Sequence, residues 1–363
     1  MEKVAIIGAG ACGLLLANLL SSEYQVTLFE KNNKLAKKVL ASGNGKCNFT
    51  NIGEYENKYN NEYALKIVSK FDNKHLRDYL VSLGLAYRVD EENRVYPLSE
   101  SSLSFVEVLK KGLKNTKILL ESRVDRLESL DDGVNVFYNN SVEKFDYVVC
   151  CSGSSASNLG SEHAYTYLKN YGLKFIEASP SLVSLIVKEN VKELSGVRVK
   201  CKVNLYKNDD LFYSENGEVL FKENGLSGIV IYNISSMINR DLKASYRIGL
   251  DLLNDSYQKN EYNNLVGVVH PKILAYLNNN NLDVKKIDFK FVGFEDVKLA
   301  QVVSGGVNID EVNEDLSLKR DSRIYLGGEV LDCDGMCGGY NLQFAFSCAF
   351  VINESLKNKR TIR

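Results

Sequence analysis

The chain lacks most of what would direct it to nucleic acid, metal or membrane. Across 363 residues the formal net charge is only -1, so no excess of one sign exists to draw a polyanion or an acidic membrane surface. The one basic cluster, Lys357 to Arg363, sits at the C-terminus and reads as a solvated helix end. No run approaches the roughly 18 consecutive apolar residues of a membrane span. The apolar run at the N-terminus belongs to a strand rather than to a signal peptide, which makes the expected location cytoplasmic. Only three histidines occur (His75, His163 and His270), too dispersed to gather on a metal. The eight cysteines show no metal-type spacing: Cys150 and Cys151 are adjacent, while Cys12, Cys47, Cys201 and Cys348 are scattered. They fit reduced thiols. A second GxGxxG is missing too, which argues against separate stable domains for two dinucleotides.

What is present begins in the first thirty residues. Val4-Ala5-Ile6-Ile7 runs into Gly8-Ala9-Gly10-Ala11-Cys12-Gly13, then a helix-like run Leu14 to Leu20 and a strand-like run Gln25 to Phe29 ending on Glu30. This is strand, glycine turn, helix, strand, acid, the order that holds a dinucleotide. Gly8 allows the tight turn, Gly10 lets backbone approach a pyrophosphate, and Gly13 lets helix pack on strand. The helix N-terminus offers N–H groups to the phosphates. Glu30, 22 residues past Gly8, can accept from ribose hydroxyls.

Further along, Leu40 to Asn51 forms a polar loop with glycines at 43 and 45, able to wrap a phosphate or a ring closely. Helices are expected at Glu62–Phe71, Lys74–Leu83 and Ser104–Leu113, and a hairpin at Tyr87–Val89 and Arg94–Tyr96. Lys117–Leu120 reads as a third parallel strand. An antiparallel meander follows at Arg123–Leu127, Val134–Tyr138 and Val142–Phe145. Tyr147–Cys151 returns to the main sheet and ends at Ser152-Gly153.

From Leu182 to Ser304 the pattern becomes β-rich, with strands at Val197–Val203, Leu211–Tyr213, Val219–Phe221, Ile248–Leu252 and Phe289–Val292 and helices at Ile229–Asn239 and Leu265–Leu277. Glycine-rich segments return at Ser304-Gly305-Gly306, Gly327-Gly328-Glu329 and Gly338-Gly339-Tyr340. Arg323–Leu326 is a buried strand, and a long amphipathic helix is expected from about Leu342 to Lys357. With one fingerprint in the chain, Glu329 and the Gly339-led helix favour FAD over a nicotinamide cofactor. Glu329 can accept from ribitol hydroxyls, and the helix terminus can stabilise charge at the flavin N1/C2=O edge.

At these residues the sequence resembles a bacterial FAD-binding oxidoreductase family that includes aminoacetone oxidase-like proteins and a bile-acid dehydro-steroid reductase. The resemblance is carried by Gly8 to Gly13 with Glu30-Lys31, by Leu40 to Asn51 (LASGNGKCNFTN), by Gly217 to Gly228 (GEVLFKENGLSG) and by Gly305 to Gln343 (GGVNIDEVN, GGEVLD and GGYNLQ). It implies an α/β fold: a Rossmann-like FAD domain built from both chain ends (1–181 and 305–363), an inserted β-barrel-like domain (182–254 and 285–304) and a small helical segment (255–284).

Carried over by position, Gly8, Gly10, Ala11 and Gly13 would meet the pyrophosphate. Glu30 and Lys31 would flank the adenosine ribose, and Lys38 leads into the loop of Ser42, Gly43, Gly45, Lys46, Cys47 and Asn48. Val124 would contact adenine through its backbone, with Ser152 and Gly153 at the strand end. Gly328, Glu329, Gly339, Tyr340, Asn341 and Leu342 would lie near the flavin. The segment after Gly153 is short and lacks the family's proline, and Ile229 stands where the family tends to carry proline.

The expected activity is a flavin-dependent reductase acting on a small or steroid-like substrate, with NAD(P)H or an organic donor as a transient reductant. No nucleic-acid or membrane partner is expected. Other readings are an amine or aminoketone oxidase using O2, a thiol–disulfide enzyme through Cys333 and Cys337, and a flavin-binding protein without turnover. No catalytic acid or base stands out; Tyr340 and Asp332 lie in the right segment.

Overall fold

The computed structural model describes residues 1–160, 164–253 and 265–362. The chain divides into two units, Met1–Ala178 with Val302–Arg363, and Ser179–Gln301. The first is organised around a five-stranded sheet in the order Ile324–Leu326, Tyr147–Cys150, Lys3–Ile7, Gln25–Phe29, Thr116–Leu119. Every neighbouring pair is parallel. Parallel sheets are covered on both faces, so their strands read as continuous apolar runs rather than alternating ones. Val4, Ala5 and Ile6 are fully buried, as are Val148, Val149 and Cys150 beside them.

The helix Ala11–Leu20 and the C-terminal helix Tyr340–Ile362 pack against each other. The C-terminal helix departs from its expected amphipathic character: every side chain from Gln343 to Ile352 is buried. It also begins earlier and ends later than the expected Leu342–Lys357. The reason is packing from several sides, since the fingerprint helix, the helices Glu62–Lys70 and Asn73–Ser82 and the short strand Thr50–Asn51 all press on it. Only beyond Asn353 do exposed and buried positions alternate with a helical period.

Thr50–Asn51 adds a strand to the hairpin Tyr87–Val89 and Arg94–Pro97, pairing Thr50 with Val95 and Asn51 with Arg94. The meander Val124–Leu130, Gly133–Tyr138, Ser141–Phe145 is antiparallel, with a register shift after Val124.

The second unit is a closed barrel of six strands: Leu185–Val187, Gly225–Ser227, Asp210–Phe221, Arg198–Lys207, Tyr246–Asp251 and Ile287–Phe294. The two strands expected at Leu211–Tyr213 and Val219–Phe221 are one, because the polar stretch between them keeps its pairing with Arg198–Lys207. The helix Ile229–Asn239 buries Val230, Ile231, Ile234 and Ile238.

The helix expected at Leu265–Leu277 is Pro271–Asn280. His270 accepts from Lys272 N and Pro271 occupies the first turn, so the start falls later than periodicity implied. Of the helical segment expected at 255–284, the stretch through residue 264 lies outside the described residues. The sequence-based boundaries at 181 and 305 fall on the strands Phe175–Ser181 and Val302–Val307, which pair as a ribbon. No helix among the described residues is long and apolar enough to cross a membrane.

Candidate cofactor site

The adenosine end is set by contacts that only glycine permits. A Cβ on Gly13 would stand 1.9 Å from the Gly8 carbonyl oxygen, and one on Gly8 would stand 2.4 Å from that of Cys151. These two glycines therefore lock strand, turn and helix together. Gly10 differs, since a Cβ there would meet nothing within 4 Å. It caps the helix Ala11–Leu20, which has no side-chain cap and no acid in its first turn. Open space, a bare helix terminus and its dipole together make an anion seat.

Glu30, 8% exposed, holds this loop as well as facing it. Its Oε2 accepts from Ala9 N at 3.0 Å, and its Oε1 accepts from Asn32 N at 2.8 Å. Carboxylate oxygens can each accept more than one bond, so capacity for a ribose hydroxyl remains. Ser122 N donates to the Glu30 carbonyl at 2.9 Å and Glu121 N to that of Asn32 at 3.0 Å. Those bonds bring Val124, buried at the start of the meander, to the same edge. Desolvation lowers the Lys31 ammonium below its usual range, with Lys38 and Lys37 adding to the effect and Glu30 opposing it.

The middle of the site joins three distant segments. Lys38 Nζ donates to Ser154 Oγ at 3.1 Å and to Glu329 Oε2 at 3.0 Å. Gly153, at φ +71°, lies beside this pair, its Cβ position 3.9 Å from Glu329 Oε2. Glu329 Oε1 is buried and has no hydrogen-bond partner. A buried acceptor without a donor is an unmet demand, and it lies where a polyol hydroxyl is expected. Ser152 is occupied by its own segment, donating to the Ala164 carbonyl at 2.9 Å and accepting from Tyr167 Oη at 3.1 Å.

At the flavin end the loop Leu40–Asn51 meets the start of the C-terminal helix. A short 3-10 turn, Ser42–Gly45, carries Gly43, Asn44 and Gly45 at positive φ. Asn48 Nδ2 donates to the Thr50 carbonyl at 2.9 Å, and Thr50 Oγ1 donates to Gln343 Oε1 at 2.5 Å. Asn51 Nδ2 donates to the Gly338 carbonyl at 3.0 Å. A Cβ on Gly339 would lie 2.5 Å from the Thr50 carbonyl oxygen, so this glycine permits the two motifs to touch. Asn341 holds the turn before the helix, accepting from Gly335 N at 2.9 Å and donating to the Gly335 carbonyl at 2.7 Å. A Cβ on Gly328 would stand 3.5 Å from those of Cys12 and Ala345, one on each of the two helices.

Several expected site residues turn their side chains elsewhere. Lys46 reaches the surface and pairs with Glu100 at 2.8 Å. Cys47 is fully buried, its thiol pushed up to about 12 by burial, which leaves its backbone alone to face a ligand. Ser42 Oγ donates to its own turn at the Val39 carbonyl, and Leu342 is half-buried on the helix.

Tyr340 packs edge-on against Tyr55 and Tyr59, with ring centroids at 6.4 Å and 6.1 Å, and burial pushes its phenol up to about 12. Asp332 accepts from Gly305 N at 3.0 Å, and burial raises its carboxyl. Both are held by protein in structural roles. Cys333 is buried, its thiol raised well above the usual range by desolvation. Sequence reasoning passed over Ser154, Thr50 and Gln343 as site-builders; Thr50 and Gln343 sit inside the quoted motifs, whereas a serine in a small-residue run gives no signal.

The residues fit FAD. One end is open at Gly10, the middle presents an unmet acceptor at Glu329, and the far end brings a helix terminus beside a glycine loop. Fold and site together define an FAD-dependent oxidoreductase. The model of the HI0933-like protein Rossmann domain matches residues 2–355, and the chain belongs to that family.

A 3-dehydro-bile acid delta(4,6)-reductase of Clostridium scindens is 27% identical, over 97% of this chain and 98% of the relative. A ribosomal RNA dihydrouridine synthase of Haemophilus influenzae is 26% identical, over 98% of each. Among solved structures, a quinol-fumarate reductase superposes with a TM-score of 0.53 at 11% identity, covering 99% of this chain and 72% of that one. The 3-ketosteroid-delta4-(5alpha)-dehydrogenase of Rhodococcus jostii RHA1 gives 0.51 at 10% identity, covering 97% and 96%. With those two structures the shared property is the fold.

Proposed function

We propose that this enzyme reduces a carbon–carbon double bond conjugated to a carbonyl, on a small molecule, with NADH or NADPH as the transient reductant. The supporting observation is the chemistry common to its relatives. A delta(4,6)-reductase of a 3-dehydro-bile acid and a dihydrouridine synthase both name removal of an alkene activated by a neighbouring carbonyl. FAD, when bound, supplies a two-electron carrier that accepts hydride from a reduced nicotinamide and delivers it to an electron-poor carbon. The chain's own contribution is position and field. Gly8, Gly10 and Gly13 seat the diphosphate, Glu30 the ribose, and Glu329, oriented by Lys38, the ribityl chain. The N-terminus of the helix Tyr340–Ile362 would stabilise negative charge developing at the ring edge. A second dinucleotide fingerprint is absent from the sequence, which agrees with a nicotinamide that visits rather than resides.

A second reading places the activated alkene in a uracil ring of RNA, favoured by the dihydrouridine synthase relatives. The net charge of -1 supports the small-molecule reading, because RNA binding draws on a basic surface. The thiol–disulfide reading finds little support in a buried Cys333.

The test is anaerobic mixing of the holoenzyme with NADH or NADPH. Bleaching of the visible flavin band is followed by addition of a 4-ene-3-oxo steroid, a simple cyclic enone, or unmodified ribosomal RNA. Recovery of the band with an enone, and a product heavier by two hydrogens, is the expected result. Recovery with RNA alone selects the second reading. Recovery with O2 alone overturns both and favours an oxidase.

A further inference from the structure

Behind the flavin end of the site lies a group of polar side chains that solvent does not reach. Thr50, Gln343 and Ser347 are each 0% exposed. Gln343 Nε2 donates to the Phe71 carbonyl at 3.1 Å and to Ser347 Oγ at 2.9 Å, and Ser347 Oγ donates to the same carbonyl at 2.6 Å. Phe71 is the C-cap of the helix Glu62–Lys70, so its carbonyl lacks an N–H from that helix and can only accept. That fixes the amide, with its donor end toward Phe71 and its acceptor end toward Thr50. Thr50 Oγ1 must then donate, at 2.5 Å, its other acceptor being the Asn51 carbonyl at 3.5 Å. Every proton in the chain has one direction.

Apolar side chains of similar shape would fill this space at little cost to stability. What they would not supply is a fixed distance between two segments. The strand Thr50–Asn51 grips the start of the helix Tyr340–Ile362 twice, through Gln343 and through Asn51 Nδ2 on the Gly338 carbonyl at 3.0 Å. Gln343 N also donates to the Gly339 carbonyl at 3.0 Å. Both carbonyls of the glycine pair are therefore turned into protein. Their peptides are trans, so the N–H groups of Gly339 and Tyr340 point the opposite way, away from these partners.

We propose that Thr50 and Gln343 are positioning residues for the flavin. Their hydrogen bond sets the gap between the glycine loop and the N-terminus of the C-terminal helix. The gap in turn sets how strongly that terminus stabilises the negative charge gained on reduction. With no exposed surface, neither side chain touches the cofactor itself. The inference rests on the assignment of the site to FAD.

Three variants test it. Thr50→Val keeps the shape and deletes the donor, and Thr50→Ser keeps the donor. Ser355→Ala breaks a bond of the same helix, from Ser355 Oγ to Asp315 Oδ2 at 2.7 Å, about 18 Å along the axis from Gln343. The flavin midpoint potential is read by equilibration with a reference dye, and the cofactor-stripped full chain is titrated with FAD and with ADP. Thr50→Val and Ser355→Ala should both lower the urea midpoint of the apo protein. Only Thr50→Val should move the potential negative, because reduced flavin loses more affinity than oxidised flavin. Its FAD affinity should fall about fivefold, the scale of one lost hydrogen bond, with ADP unchanged. Thr50→Ser should stay near wild type in both. A potential unmoved in Thr50→Val overturns the inference whatever the affinity does. So does an equal shift in Ser355→Ala or in Thr50→Ser. A wild-type chain that binds ADP but not FAD, or neither, overturns the cofactor assignment instead.

Discussion

The two ends of the cofactor site use glycine for different purposes, although both look alike in sequence. At the fingerprint, Gly8 and Gly13 are occupied by protein on the side where a Cβ would grow, while Gly10 faces open space. At the C-terminal pair, Gly339 is crowded by the Thr50 carbonyl, whereas a Cβ on Gly338 would make only ordinary contacts, 3.5 Å from the side chains of Asn51 and Tyr340. Of these five glycines, three are closed by backbone on the Cβ side, and Gly10 alone meets nothing within 4 Å. Gly8 and Gly339 let segments far apart in the chain meet, and Gly13 lets the helix close on its own turn. A glycine-rich motif is therefore a packing device first, and the ligand occupies what the packing leaves open.

The sharpest way to break that comparison is Gly13→Ala. Its Cβ would sit 1.9 Å from backbone that cannot rotate away, so helix and strand must separate. A loss of about 3 kcal/mol or more is expected, read as a large fall in the urea midpoint of the apo protein. An unchanged midpoint would show that Gly13 is there for the ligand. Next in size is Gly339→Ala, where φ +100° adds strain to a 2.5 Å approach to Thr50. About 2 kcal/mol is expected, with FAD affinity falling as the loop and helix part. Gly10→Ala sharpens the contrast from the other side. Its φ of -83° suits alanine and nothing stands near. Apo stability should hold within about 0.5 kcal/mol while FAD binding weakens about tenfold or more, or about 1.4 kcal/mol. Equal effects on stability and binding would erase the distinction.

Much of the first unit was legible from sequence for the same packing reasons. Buried parallel strands write themselves as apolar runs, and the turn-separated meander at Val124–Phe145 follows local rules. The fully buried half of the C-terminal helix was misread as amphipathic because its environment is made by helices hundreds of residues away. Gly305 and Gly306 read only as a glycine-rich segment; a Cβ on Gly305 would strike the Glu177 carbonyl and one on Gly306 that of Val330, so both serve strand packing. The individual residues of the site showed the same limit. Glu30 was placed by spacing, but its grip on Ala9 N was not, and the meeting of Lys38, Ser154 and Glu329 has no periodicity to announce it. Convergence of single residues from separate segments is a tertiary fact, and local pattern carries no trace of it.

The smallest expected effect concerns Asp332, which ties the C-terminal loop to Gly305 N. Burial raises its carboxyl in the folded protein, with the Gly305 bond opposing the rise only in part. A folded pKa above the unfolded one means the native state binds more protons between the two values. Stability from this group therefore falls as pH rises through that window, starting from the ordinary carboxylate range. Asp72, Asp90, Asp315 and Asp321 are held below their usual range and drive stability the opposite way, upward with pH, so the wild-type curve alone hides the contribution. Asp332→Asn keeps an oxygen for Gly305 N and removes the titration. The wild-type minus variant difference in unfolding free energy should decline from acid pH toward neutrality and then level off, leaving the variant slightly more stable at pH 7. A flat difference would mean that water or the Asn60 amide, 3.5 Å from Oδ1, already satisfies the carboxylate. The C-terminal end would then be as well solvated as its surface, and its burial would cease to distinguish it from the fingerprint.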